Sequence, residues 1–181
     1  MNPRTRSRMV LVLLALAFFG SFGVAGWLRF SGWTPPGRTN YGTLLTPAVE
    51  VGKLAVARAD GSAYAWKSPL LLWRIVVFAP ADCGAPCVAL SHALERVWRT
   101  EGRHAERLQV LWFGPLSEGA ARFRNLLPMA DAPALHAALP GVAEAGALPV
   151  YLIDPHGFVV MRYPSGFDAA GLRRDLGYLL K

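Results

Sequence analysis

The segment MVLVLLALAFFGSFGVAGWL, Met9 to Leu28, runs for twenty residues without a charge. At about 1.5 Å per residue, a helix of that length matches a hydrocarbon core about 30 Å thick. Lipid offers no partner to an exposed backbone, so such a run crosses only as a helix that satisfies its own peptide groups. Arg4, Arg6 and Arg8 precede the run and no basic residue lies within it, which places the N-terminus in the cytoplasm by the positive-inside rule. Trp27, Arg29 and Trp33 fall where an interfacial belt forms. A cleaved signal peptide, with Gly23-Val24-Ala25 as the cleavage site, is the competing reading. The run exceeds the usual apolar region of about 7–15 residues, so an anchor is preferred. Either way, the remainder is exported. The expected organisation is a cytoplasmic segment 1–8, a transmembrane anchor 9–28, a linker 29–48 rich in Pro, Gly and polar residues, and a periplasmic domain 49–181.

Charge narrows the partners. Nineteen basic residues stand against 12 acidic ones, a formal +7. Arg4, Arg6 and Arg8 lie before the apolar run, so the remainder carries a mild surplus. No basic cluster interleaved with aromatics is found, which argues against a nucleic-acid partner. The surplus suits anionic lipid at the inner membrane or an acidic protein face.

Beyond the linker, VGKLAVARADGSAYAWKS offers two short runs about ADGS, a hairpin signal because Asp-Gly adopts positive φ cheaply. LLLWRIVVFAP reads as a buried central strand, and CGAPCVALSHALERVWRT as a helix with Val88, Leu90, Leu94 and Val97 at helical spacing. RLQVLWFG is a second buried strand. SEGAARFRNLLP and DAPALHAAL read as short helices, the second capped by Asp131. LPVYLID and GFVVMRYP form a hairpin across DPHG, and DAAGLRRDLGYLLK closes the chain as a helix capped by Asp168. The tryptophans Trp66, Trp73, Trp98 and Trp112 are read as packing residues.

The two cysteines, Cys83 and Cys87, stand at the junction of the first buried strand and its helix. Such a pair can form a structural disulfide, exchange one, or hold a soft metal. Positions i and i+4 share a helix face, and their Cα separation there, about 6 Å, falls inside the disulfide range. A thiol at a helix N-terminus gains thiolate character from the dipole and the free N–H groups. Cys83 is therefore read as the nucleophile beginning the helix and Cys87 as the resolving partner, with Asp82 a weaker candidate proton acceptor. A purely structural bridge closing so short a loop would add little stability. Two thiolates also select Cu(I), for which a third ligand is desirable rather than mandatory. None of His92, His104, His136 and His156 has a compelling ligand position; His136, on a short helix, reads first as a surface or half-buried residue. No phosphate loop, catalytic triad or paired-carboxylate motif is present.

The β–α–β unit with CGAPC at its first strand end, followed by a hairpin and a final helix, resembles the thioredoxin superfamily. GALPVYLID strengthens the likeness, because thioredoxin folds carry a proline, usually cis, before the third core strand and facing the cysteines. Pro149 stands there. Within the superfamily the chain resembles the Sco/SenC branch, which assembles the copper-A centre of cytochrome c oxidase, through its C-x3-C motif, N-terminal anchor and YLIDPHGFVVMRYPSGFDAAGLRRDL ending. RFSGW and NYGTLL also resemble small membrane-anchored proteins encoded among cytochrome c oxidase assembly genes in proteobacteria. The implied fold is α/β and thioredoxin-like: a central mixed sheet with flanking helices and an N-terminal β-hairpin. The implied role is a factor in cytochrome c oxidase biogenesis that meets oxidase subunits or other assembly factors. It would act by thiol–disulfide exchange or transient Cu(I) handling through Cys83 and Cys87, with Pro149 completing the site. The other class of reading is a non-catalytic scaffold with a structural disulfide. One departure bears on copper: the Sco copper-binding histidine corresponds to about Gly146, and no histidine is there.

Overall fold

The computed structural model describes residues 3–32, 40–142 and 148–180 and divides into two units, 1–39 and 40–181. The first contains α1 (Pro3–Phe30), longer at both ends than the expected span. Its stretch Arg8–Phe30 is long and apolar enough to cross a membrane. Ser21, the polar side chain in its middle, donates its hydroxyl to the Phe18 carbonyl at 2.7 Å, so no hydroxyl proton is left unpaired on the apolar surface.

The second unit begins at Asn40, nine residues before the expected boundary at 49. It is built on a six-stranded sheet in the order β1-β6-β5-β2-β3-β4. The strands are β1 (Thr43–Glu50), β2 (Trp73–Phe78), β3 (Leu108–Phe113), β4 (Leu126–Met129), β5 (Val150–Ile153) and β6 (Phe158–Tyr163). β2 runs parallel to β3 and antiparallel to β5. It is covered on both faces, which is why WRIVVF reads as a continuous apolar run rather than an alternation.

Alternate residues feed two cores. Ile75, Val77, Val110, Trp112, Val150 and Leu152 face α2 (Ala85–Thr100) and α4 (Ala169–Leu179), whose Leu94, Val97, Leu172 and Leu176 close that side. Val76, Leu111, Phe113, Tyr151 and Ile153 pack on the other face against Val51, Val56, Trp66 and α3 (Pro133–Ala138) through Leu135. Arg74 is fully buried on this second face. It donates to the Leu72 and Trp66 carbonyls and to the Tyr64 hydroxyl, and its guanidinium lies 5.5 Å from the Trp66 ring centre. Acceptors and ring faces thus replace a counter-ion.

Several elements differ from the expected ones. The end of the supposed linker is β1, an edge strand paired to β6. Its exposed pattern and internal Pro47 hide it, since proline in sheets is tolerated at such edges. The hairpin about ADGS shrinks to a single bridge, Ala57 to Ala63. SEGAARFRNLLP forms turns ending in β4, not a helix, because the open side of β3 takes Leu126–Met129 as a parallel neighbour and pairs Val110 with Leu126. Asn125 secures the entry by donating to the Ala105 and Leu108 carbonyls. The residue capping α3 is Ala132, without a side-chain bond, so Asp131 does not cap it. Asp168 does cap α4, accepting from the Ala170 N–H at 2.9 Å.

Candidate functional site

β2 ends at Phe78, and the chain turns through Ala79–Asp82 into α2. The turn is held by Ala79 N–H donating to the Phe113 carbonyl at 2.7 Å and Cys83 N–H to Pro80 at 3.1 Å. Gly114 makes the first of these contacts feasible. It sits at φ +98°, and a Cβ there would lie 2.2 Å from the Ala79 carbonyl oxygen. Ser117 adds a second tie by donating its hydroxyl to the Cys83 carbonyl at 2.6 Å. Neither residue carries a motif signal, and the sequence reading missed both.

Gly84 occupies the N-cap of α2 and Pro86 lies in its first turn, where a missing N–H costs nothing. Cys83 therefore precedes the helix rather than beginning it, and Cys87 is the third helical residue. The turn at Pro80 has to finish before helical dihedrals begin, which pushes the first cysteine outside. The two sulfurs are bonded, with a Cα–Cα distance of 5.7 Å. Their surroundings differ. Cys87 is fully buried in the core beneath α2, whereas Cys83 is only partly buried and packs at that core's margin. One sulfur is presented and the other is withheld.

Pro149 is buried immediately before β5. Val150 pairs with Val77, so Pro149 falls level with Phe78 at the same end of the sheet as the disulfide. Its neighbour Leu148 belongs to the same apolar cluster as Cys87. The expected cis bond is not found there: among the described residues the cis X–Pro peptide is Thr46–Pro47. An X–Pro bond favours trans unless packing selects otherwise.

No histidine among the described residues joins the two cysteines in a group that could hold a metal. His136 sets its ring edge-on against Phe78 at 5.0 Å, on the face of the sheet opposite Cys87. His92 Nε2 lies 3.0 Å from the Gly119 carbonyl, and His156 lies beside Asp154 in the β5–β6 turn. Among the described residues no group of three His, Cys, Asp or Glu side chains is arranged to hold a metal. The position equivalent to the Sco histidine, about Gly146, lies outside the described residues. Reduction of the disulfide would therefore supply a copper ion with two sulfur donors, a set suited to Cu(I).

A mixed sheet with helices on both faces, and a cysteine pair where its central strand passes into a helix, defines a thioredoxin-like protein. The chain belongs to the family described as transmembrane-like, thioredoxin-like, C-terminal domain, whose model matches residues 73–181. That family and α1 together support a single-pass membrane protein. A comparison with curated protein sequences found no match. Among solved structures, the chain is similar to the apo Sco1 protein of Thermus thermophilus, with 18% identity and a TM-score of 0.58 over 80% of this chain and 99% of that one. It is similar to BsSco, described as having a disulfide switch and as a member of the Sco family of cytochrome c oxidase assembly proteins. That match has 13% identity and a TM-score of 0.54 over 77% of this chain and 96% of that one. The Xanthomonas campestris bacterioferritin comigratory protein, described with alkyl peroxide reduction activity, matches with 16% identity and a TM-score of 0.50 over 80% and 98%. At these identities the likeness is one of fold.

Proposed function

We propose that this chain is a membrane-tethered thiol–disulfide exchange factor in cytochrome c oxidase biogenesis, its domain exposed to the periplasm from a single inner-membrane span. The observation that carries the exchange chemistry is the asymmetry of the disulfide, with Cys83 partly exposed and Cys87 fully buried. A presented sulfur backed by a withheld one is what a nucleophile and a resolving thiol require. In the reduced pair, the Cys83 thiolate attacks a client disulfide and the client's other sulfur leaves as a thiolate. Cys87 then attacks Cys83 in the mixed disulfide, releases the second client thiol and restores the Cys83–Cys87 bond. The client gains two electrons and two protons, and a dithiol reductant outside the domain must reset the pair. The start of α2 favours the thiolate by its dipole. Pro149, at the same end of the sheet, is proposed to line the place where the client chain lies.

The biological setting rests on the resemblance to Sco/SenC proteins and on the fold shared with BsSco, itself described as a cytochrome c oxidase assembly protein.

The test is trapping. Cys87→Ser should hold clients on Cys83 as mixed disulfides, resolved by non-reducing electrophoresis and mass spectrometry. Cys83→Ser should trap little, and both variants should lower oxidase activity in cells. If neither variant traps a client and the double serine variant matures oxidase normally, the dithiol is idle and a scaffold role takes its place.

A further inference from the structure

A groove of about 590 Å³ lies along the seam between α2 and the β6–α4 connection, starting at Pro86, the residue before Cys87. Its near end is apolar: Pro86, Ala89, Leu90 and Ala93 form one side, and Leu148 and Phe167 the other. The positions on α2 recur at three- and four-residue spacing, so they share a helix face. Alanine at 89 and 93, where larger side chains would fill the seam, leaves it open. Leu90, Leu148 and Phe167 join the same apolar cluster as Cys83 and Cys87, and Pro86 and Leu148 adjoin Cys87 and Pro149 in the chain, which sets the near end of the groove beside the candidate site.

The far end is basic. Arg96 lines the groove and, with Arg173 of α4, a smaller hollow that continues it past Ala93 and Ala169. Neither arginine forms an ion pair among the described residues. The nearby carboxylates do not cancel them both. Asp168 also lines the groove, but it caps α4 and pairs with neither arginine, and Glu101 acts on Arg173 from the end of α2. Arg99, one turn from Arg96, is paired with Glu95. An unpaired guanidinium at the end of an apolar channel is complementary to a carboxylate.

We infer that the groove docks an extended client segment, apolar beside its cysteine and acidic about four to five residues away. The spacing follows from the helix. Pro86 and Arg96, which mark the two ends of the groove on α2, are about 15 Å apart along the axis at 1.5 Å per residue, and an extended chain covers that distance in about four to five residues at roughly 3.3 Å each. The inference rests on the exchange reading above. It adds to it a charge requirement on the substrate.

The test uses the full chain carrying Cys87→Ser, in nanodiscs of neutral lipid at low ionic strength. Three peptides of common apolar sequence bear a cysteine activated as its thionitrobenzoate disulfide, with Glu, Gln or Lys four residues away. Attack by the Cys83 thiolate on the peptide sulfur makes the mixed disulfide and expels coloured thionitrobenzoate. The Glu peptide should react about three- to tenfold faster than the Lys peptide, and salt should erase the difference. Arg96→Glu with Arg173→Glu should invert the order. Equal rates for the three peptides, or an order unchanged in the charge-reversed protein, would overturn the inference while leaving the exchange reading intact. A Cys83 that reacts with none of the peptides and not with the small symmetrical nitrobenzoate disulfide would sink the exchange reading itself. Should the charge-reversed protein fail to fold, the peptide series and its salt dependence still decide. A preference that appears only when the nanodiscs contain anionic lipid would assign the basic end to the membrane surface and refute peptide docking.

Discussion

The carboxylate of Asp175, on α4, accepts the Tyr163 hydroxyl at 2.7 Å and, through the same oxygen, the Gly42 N–H at 2.9 Å. It also accepts the Tyr41 N–H. One buried side chain thus binds the entry of the domain to its last helix and last strand. Around it, Arg174 lies over the Tyr41 ring at 5.5 Å, and Gly171 lets that ring approach where a Cβ would come within 2.7 Å.

Asp175→Ala would strand those donors in a site only 4% exposed. The expected loss is about 2–4 kcal/mol, read as a lower denaturant midpoint with little change in slope. Asp175→Asn keeps an oxygen acceptor and should lose less. Because β1 is the element released, its amides should be the first to lose hydrogen-exchange protection.

Tyr163 gives the same cluster a pH signature. Burial, then the hydrogen bond to Asp175 and its charge, push the Tyr163 phenol well above the ordinary tyrosine range. Its folded pKa is raised, so this contribution to stability is complete below the unfolded value of about 10 and declines as pH rises beyond it, where only the unfolded chain ionises. Tyr64, raised by burial and only partly pulled back by Arg74, adds to the same alkaline decline. Tyr163→Phe should cost stability at neutral pH and flatten the alkaline decline in urea melts recorded from pH 8 to 11. A decline as steep as the wild type's would show that other groups set it.

Much of this architecture was legible in the sequence because its signals are local. The uncharged run to Leu28 gave the membrane-length helix. WRIVVF and LQVLWF gave the central strands, and Asp168 marked the start of α4. What escaped depends on pairing across the chain. β1 has no alternating apolar face of its own, and β4 exists only because β3 offers an open edge. Cys83 and Cys87 could be placed at a strand–helix junction, yet their unequal burial depends on where the turn through Pro80 ends. Arg96 and Arg173 are 77 positions apart, so no window along the sequence brings them together.

Gly114 is the site's least forgiving position. Gly114→Ala places a methyl against the Ala79 carbonyl in a conformation that already disfavours a Cβ. The turn from β2 toward Cys83 must then shift. The expected cost is about 1–3 kcal/mol, together with a changed rate of Cys83 alkylation in the reduced protein. Gly61→Ala, also at positive φ but with open space around it, controls for backbone strain alone. It should lower stability and leave Cys83 reactivity as it was.

Copper separates the two chemistries open to the cysteine pair. No described histidine groups with the cysteines as a third ligand, and His136 lies on the opposite face of the sheet, so the donors available after reduction are the sulfurs of Cys83 and Cys87. Thiolates favour Cu(I), which accepts low coordination, while Cu(II) prefers additional nitrogen or oxygen ligands in tetragonal geometry. The reduced full chain should bind a single Cu(I), lose it on Cys83→Ser or Cys87→Ser, and bind no copper while the disulfide is intact. With Cu(II) it should be oxidised to the disulfide rather than form a lasting coloured complex. Anaerobic titration with a Cu(I) chelator as competitor, followed by absorption spectra with Cu(II), measures both. A stable, strongly coloured Cu(II) complex abolished by replacing His92, His104, His136 or His156 would show that a histidine reaches the sulfurs, and would make copper delivery the leading role of the pair.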